Sequence, residues 1–144
     1  MKQGSSYVSL VCCLLVCATR VPGQTTSPPS IVVRGFDAYR AFGADSAFRT
    51  WLANSPVGND SITQGSALAL HQLEIAYGRM EGNEILRVTP IGSRVLRVYA
   101  IVHYQKGPLY MWFECYRASS DWTVVAFLFN PRPEPILPAS LIDH

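Results

Sequence analysis

The sequence predicts an α+β fold in which N-terminal helices pack on a four-stranded antiparallel meander sheet. Apolar residues recur at helical spacing up to Gly82-Asn83 and with a period of two after that point. The later segments are separated by short loops rich in Gly, Pro, Ser and Asp, which is typical of hairpins. At 144 residues, the chain is long enough for one hydrophobic core and too short for two ordinary domains.

Residues 1–23 have the pattern of a signal peptide. Lys2 gives a positive start, an apolar run over residues 7–18 follows, and Val21-Pro22-Gly23 offers a cleavage site. A membrane anchor is the alternative, but the run is about a dozen residues, short of the roughly 20 that a spanning helix needs. We therefore expect a cleaved leader, a secreted or periplasmic mature protein, and no stable membrane span after cleavage.

Loss of this leader changes the charge and the cysteine content. The chain has 12 Lys and Arg against 10 Asp and Glu, and because Lys2 and Arg20 leave with the leader, the mature charge is zero. Nucleic acid is therefore not an expected partner, since phosphate binding needs clustered basic side chains. Three of the 4 cysteines also leave, and Cys115 alone cannot form an intramolecular disulfide.

The sequence carries no metal or cofactor signature. His71, His103 and His144 form no HxH or HExxH spacing, so we expect no metal site. No glycine-rich phosphate loop stands between a strand and a helix, so we expect no nucleotide and no other cofactor. Asn59-Asp60-Ser61 matches a glycosylation sequon, whose use depends on the source of the protein.

The α+β domain is predicted over residues 35–131, after a flexible linker at 24–34 that begins with the Pro-rich stretch QTTSPPS. Apolar spacing between residues 36 and 53 predicts one helix, or two short helices broken near Gly43. A further helix is capped by Ser61 or Thr63, repeats apolar residues through Met80, and ends at Gly82-Asn83.

The second half of the domain is predicted as strands at 84–90, 94–104, 109–117 and 122–130. A Pro-rich tail at 132–144 follows, in which prolines forbid regular structure over most of the length. We expect this tail to wrap the surface with Ile136 and Leu137 docked.

Loop lengths set a register and assign each strand residue to a face. A loop at 105–108 pairs Tyr104 with Leu109, and a loop at 118–121 pairs Arg117 with Trp122. One face is purely apolar and suits the helices; it holds Leu96, Val98, Ala100, Val102, Met111, Phe113, Cys115, Val124, Ala126 and Leu128. The opposite face is rich in aromatic residues; it holds Arg97, Tyr99, Ile101, His103, Tyr110, Trp112, Glu114, Tyr116, Thr123, Val125, Phe127 and Phe129.

This aromatic face is the predicted binding or contact surface. So much aromatic area left in water usually marks a binding site or an oligomer interface. We expect a second copy of the chain, in a homodimer, or a small apolar ligand to cover it. The candidate residues are Arg97, Tyr99, His103, Tyr110, Trp112, Glu114, Phe127 and Phe129.

Three segments of the predicted sheet are distinctive: Lys106-Gly107-Pro108-Leu109-Tyr110 entering a strand, Phe113-Glu114-Cys115-Tyr116-Arg117 within it, and the closing strand 122–130. With these segments, the order of elements over roughly residues 36–130 resembles the NTF2-like, cystatin-like cone-fold superfamily. These segments look like small exported members of unknown function. The superfamily includes isomerases, dehydratases, transport factors and domains without assigned activity, so the resemblance implies a curved, cone-like sheet and, commonly, dimerisation through that sheet, but no particular activity.

Glu114 is the sharpest candidate for acid or base catalysis. It stands mid-strand among Tyr99, Trp112 and Tyr116, and an apolar aromatic surround favours the neutral form of a carboxyl group. The resemblance implies a grouping like that of cone-fold isomerases, with Glu114 as base and Tyr99 or Tyr116 as hydrogen-bond donor. The structural alternative is an ion pair with Arg97, which lies diagonally across in the predicted register.

Two functions follow from these patterns. The favoured one is an exported module without catalysis that binds a partner or a small ligand. The alternative is a cone-fold enzyme of the isomerase or lyase type with Glu114 as base. A closed pocket around Glu114 would favour the enzyme or the ligand binder, and a flat sheet face would favour an interface.

Overall fold

The computed structural model describes residues 26–58 and 61–143, so the predicted signal peptide and most of the Asn59 sequon lie outside the described residues. Within the described residues, three helices precede a four-stranded sheet and a short 3-10 helix, which confirms the predicted α+β order. The elements are α1 Ser30–Phe42, α2 Ala44–Trp51, α3 Ser61–Tyr77, β1 Met80–Gly92, β2 Val95–Tyr104, β3 Gly107–Arg117, β4 Trp122–Asn130 and the 3-10 helix Ala139–Leu141.

The helix α1 begins at Ser30, inside the segment predicted as a flexible linker, so that linker boundary was wrong. Ile31 and Val32 of the first turn are buried in the core, and this burial stabilises a first turn that lies upstream of the helix predicted over residues 36–53. The predicted break at Gly43 is confirmed. Gly43 separates α1 from α2 with a φ of +84°, a left-handed value that glycine adopts without strain.

The helix α3 ends at Tyr77 rather than at the predicted Gly82-Asn83. Gly78 takes a φ of +86°, and its N–H donates to a carbonyl of the last turn at 2.9 Å. This is a common way for a helix to end on glycine. Met80 therefore belongs to β1, where its side chain is buried.

The described strands form an antiparallel meander in the predicted order β1-β2-β3-β4. The turn between β2 and β3 is tighter than predicted, because Tyr104 pairs with Gly107 and only Gln105 and Lys106 lie between them. The register of this strand pair is therefore shifted by two residues. Since side chains alternate with a period of two, every β2 and β3 side chain keeps its predicted face.

The strand β4 departs from the predicted register at a β-bulge. Cys115 pairs with Val124, but its neighbour Glu114 pairs with Ala126. Val125 is the extra residue between them. From Ala126 onwards, the alternation of β4 is displaced by one residue, so its side chains exchange faces.

The core lies between the helices and the sheet face that holds Phe113, and Trp51 occupies its centre. The ring centroids of Trp51 and Phe113 are 5.0 Å apart, and those of Trp51 and Phe36 are 5.2 Å apart. Trp51 Nε1 donates to the carbonyl of Val32 at 3.1 Å, which satisfies the buried indole N–H. Gly35 permits this contact, because a Cβ there would lie 1.9 Å from Trp51 Nε1.

Two buried tyrosines join α1 to β2 beside this core. The hydroxyl groups of Tyr39 and Tyr104 share a hydrogen bond. Burial raises the pKa of both groups, that of Tyr104 to about 12, because the ionised phenol loses its hydration. Glu74 of α3 accepts a hydrogen bond from the Ala44 N–H at 3.2 Å and so ties α3 to the start of α2.

Candidate functional site

The open face is the side of the sheet that points away from the helices, and most of the predicted site residues lie on it. Three cross-strand pairs form its centre: Arg97 with Glu114, Tyr99 with Trp112, and Ile101 with Tyr110. Side chains directly opposite on one face of an antiparallel pair are close enough to interact. The open face thus combines one charged pair with a broad apolar and aromatic area.

Arg97 and Glu114 form an ion pair on the open face, as the structural alternative predicted. The two residues are directly opposite rather than diagonal, because the β2–β3 register is shifted by two residues. The hydrogen bond with Glu114 raises the pKa of Arg97, and Tyr99 adds to this effect. The guanidinium also lies over Trp112, with Arg97 Cζ 4.6 Å from the ring centroid.

This ion pair limits what Glu114 can do chemically. A general base needs a free lone pair within reach of a substrate proton, and the Glu114 carboxylate is engaged by a permanent cation. Tyr116, one of its two predicted donors, is 38% exposed on the same face. Three cavities of about 400 to 420 Å³ are lined by residues other than Glu114, Tyr99 and Tyr116. The arrangement is that of a surface-lying structural pair within an apolar patch.

Part of the open face is uncovered by the described residues. Tyr116 is 38% exposed and Leu128 is 44% exposed, although both side chains are large and mostly apolar. Tyr99 and Trp112 lie beside them and are partly exposed. We call this uncovered area the Trp112 patch; it consists of Arg97, Tyr99, Trp112, Glu114, Tyr116 and Leu128.

Phe127 and Phe129 do not lie on the open face, so their predicted position there was wrong. The bulge at Val125 turns both side chains toward the helix-covered core, where Phe127 pairs with Phe113. Leu128 takes a place on the open face instead. Four of the six aromatic residues assigned to this face therefore remain on it: Tyr99, Tyr110, Trp112 and Tyr116.

His103 lies on the open face near the β2–β3 turn, as predicted. Its Nε2 atom is 3.8 Å from a carboxylate oxygen of Glu84, and the two side chains are 49% and 63% exposed. An exposed pair at this distance contributes little to stability. Across residues 26–58 and 61–143, no group of three or more His, Cys, Asp or Glu side chains is placed to hold a metal ion.

No protein-family model, no curated protein and no solved structure matches the chain. In the described part of the chain, none of the helices combines the length and the apolar character that crossing a bilayer requires.

The C-terminal tail covers the end of the open face around Tyr110. Ile136 and Leu137 are buried, as predicted. Leu137 lines a cavity together with Tyr110 and Ile101, which places the tail over β2 and β3. The sequence predicts that the tail docks, but not that it docks on the open face. The available signal was that an apolar pair in the tail and an aromatic sheet face both lacked a partner.

Proposed function

We propose that the mature chain is an exported, non-catalytic interaction module that associates with a second copy of itself through the Trp112 patch. The observation that carries this proposal is the exposure of Tyr116 and Leu128 beside Trp112, on a sheet face that no described element covers at that point. Contiguous apolar area of this kind marks contact surfaces, and Trp, Tyr and Arg are enriched in them.

The charge of the Trp112 patch suits a like partner. Arg97 and Glu114 neutralise each other within it, so two copies can meet without repulsion between like charges. In a two-fold arrangement both chains use the same surface, so any contact that Arg97 or Glu114 makes with the partner would occur twice. Trp112 at the centre is the residue type that most often dominates the energetics of such a contact.

The size of the patch sets the expected strength of association. Three strands spaced about 4.8 Å apart, with roughly six residues each rising about 3.3 Å, offer about 300 Å² in projection. A stable interface buries about 800 Å² on each partner. A dimer contact through the Trp112 patch alone is therefore weak unless it also extends over the C-terminal tail. We expect reversible association in the micromolar range rather than a permanent dimer.

Sedimentation equilibrium of the mature chain tests this proposal. The average mass of the wild-type chain should rise reversibly across the micromolar range, and Trp112→Arg should abolish the rise. Leu128→Arg changes a more exposed side chain, which is 44% accessible, and should weaken association without loss of fold. Phe42→Arg, at a residue that is 79% exposed on α1, is the control and should associate like the wild type. A monomeric wild type, or dissociation caused by Phe42→Arg alone, would refute the proposal.

The alternative function, a cone-fold isomerase or lyase with Glu114 as base, has less support. The Glu114 carboxylate is engaged by Arg97. The space between helices and sheet, where a buried substrate would have to sit, is filled by rings such as Trp51 and Phe113. Membership of the NTF2-like superfamily stays a proposal, supported by the order of helices before an antiparallel sheet.

Export is part of the same proposal and rests on the sequence of residues 1–23. Expression in a secreting host should release a chain that begins near Gln24, because the short apolar run and the Val21-Pro22-Gly23 site fit a cleaved leader. N-terminal sequencing of the released protein measures this directly. Recovery of a membrane-bound product that retains Met1 would contradict it.

A further inference from the structure

A cavity of about 400 Å³ lies between the C-terminal tail and the open face, next to the Trp112 patch. Its volume falls within the range of small-molecule sites, about 300 to 1,000 Å³. The strands supply its floor and the tail supplies its roof. Its mostly apolar lining is formed by Leu86, Ile101, Tyr110, Leu137, Leu141 and Ile142.

The roof of this cavity is held by contacts of its own. Arg87 Nη1 donates to Ser140 Oγ at 2.9 Å and so ties the tail to β1. The carbonyl of Pro133 accepts the N–H groups of Ile136 and Leu137 at 2.9 and 2.7 Å, which closes a helical turn. The cavity is thus bounded by a defined segment, and a ligand would bind with little ordering of the chain around it.

Among the described lining residues, the one with a charged side chain is Glu84, which is 63% exposed and therefore places its carboxylate toward solvent. His103 Nε2 lies 3.8 Å from this carboxylate, and the cation farther along β1, Arg87, is engaged by Ser140 of the tail. The apolar part of a ligand inside the cavity would displace water from the aliphatic side chains that line it, which favours binding. A cationic head at the mouth would meet the Glu84 carboxylate, whereas an anionic head would be repelled.

We infer that this cavity binds a small amphiphilic amine, with its apolar body beneath the tail and its ammonium group beside Glu84. This inference goes beyond self-association through the Trp112 patch. Trp112 is not part of the cavity lining, so the two proposals can fail separately.

Calorimetric titration of the full mature chain with n-octylamine and with octanoate tests the chemistry of the site. These two probes have the same chain length and opposite charge. We expect saturable binding of octylamine, about fivefold tighter than that of octanoate, which is the ratio that an exposed ion pair supports. Glu84→Gln should remove this preference without abolishing binding. Octylamine that does not saturate, or equal affinity for both probes in the wild type, would overturn the inference.

Two cavity-filling variants test the location. Ile101→Trp fills the cavity from the sheet and Leu141→Trp fills it from the tail, and each should weaken octylamine binding by at least about tenfold. Using both keeps the test decisive if one variant folds poorly, which circular dichroism melts will reveal. Val95→Trp, on the same face at the other end of β2, is the matched control and should bind like the wild type. Undiminished binding in the folded filled variants would place the amine elsewhere and overturn the inference.

Discussion

Replacing Gly35 with alanine tests the close packing of α1 on α2. In a helix that packed against nothing, the change would stabilise the protein by about 1 kcal/mol, because glycine is the poorer helix former. In this fold the new Cβ would lie 1.9 Å from Nε1 and 2.0 Å from Cδ1 of Trp51. Carbon and nitrogen atoms cannot approach so closely, so the indole would have to move.

The cost of moving Trp51 outweighs the gain in helix propensity. Overpacking a core typically costs about 1 to 3 kcal/mol. Losing the hydrogen bond from Nε1 to the Val32 carbonyl, which measures 3.1 Å, leaves a buried donor unsatisfied, and this adds about 1 to 3 kcal/mol. After subtracting the gain in helix propensity, we expect Gly35→Ala to lower the free energy of unfolding by about 1 to 5 kcal/mol.

Urea unfolding of the mature chain, followed by circular dichroism, measures this difference. Gly65→Ala in α3 is the matched control, because a Cβ there meets nothing within 4 Å. It should stabilise the protein by about 0.5 to 1 kcal/mol. The same substitution should therefore have opposite signs in the two helices. A Gly35→Ala protein as stable as the wild type would show that Trp51 does not pack against α1 in the described way.

Three further predictions concern the core and its titration. Phe127→Ala should lower the free energy of unfolding, measured in a urea melt, by about 2 to 4 kcal/mol, because the Phe127 ring centroid lies 5.2 Å from that of Phe48. Leu128→Ala, at a side chain that is 44% exposed, should lower it by less than about 1 kcal/mol. A larger loss for Leu128→Ala than for Phe127→Ala would disprove the β4 bulge. Cys115 should resist a thiol reagent at neutral pH until the chain unfolds, because burial raises its pKa to about 12; rapid labelling of the native chain would contradict this. Burial also raises the pKa of Tyr104 from 10.0 to about 12, so the unfolded chain loses the phenolic proton at a lower pH than the folded chain. The stability that Tyr104 contributes should therefore be constant below pH 10 and fall as the pH rises toward 12. Tyr104→Phe should reduce that alkaline loss, as denaturant melts at each pH would measure, and an unchanged pH profile would count against it.

The sheet could be predicted from the sequence because its signals are local. The period of two and the turn residues between strands gave the meander, and an error of two residues in the β2–β3 turn left the faces of Arg97, Trp112 and Glu114 unchanged. The start of α1 could not be predicted in this way. The partners that bury Ile31 and Val32 lie elsewhere in the chain, and the polar, Pro-rich stretch before them indicated a linker.

The candidate site could be predicted only in part, because two of its features depend on tertiary contacts. The bulge at Val125 lies in a run without glycine or proline to mark it, so the sequence placed Phe127 and Phe129 on the wrong face. The cover over Tyr110 depends on where the tail docks. That position is fixed by contacts such as Arg87 with Ser140, which no local pattern announces.

The meander order of the sheet also has a consequence for the time course of folding. Each described strand pairs with its neighbour in sequence, so the hairpins close over short loops with little loss of chain entropy. The helices are synthesised first, yet two of their rings complete their packing only against later strands: Phe36 contacts Phe113 of β3, and Phe48 contacts Phe127 of β4. We therefore expect the hairpins to form early and the helices, although made first, to gain this part of their stability last, which is the reverse of the order of synthesis.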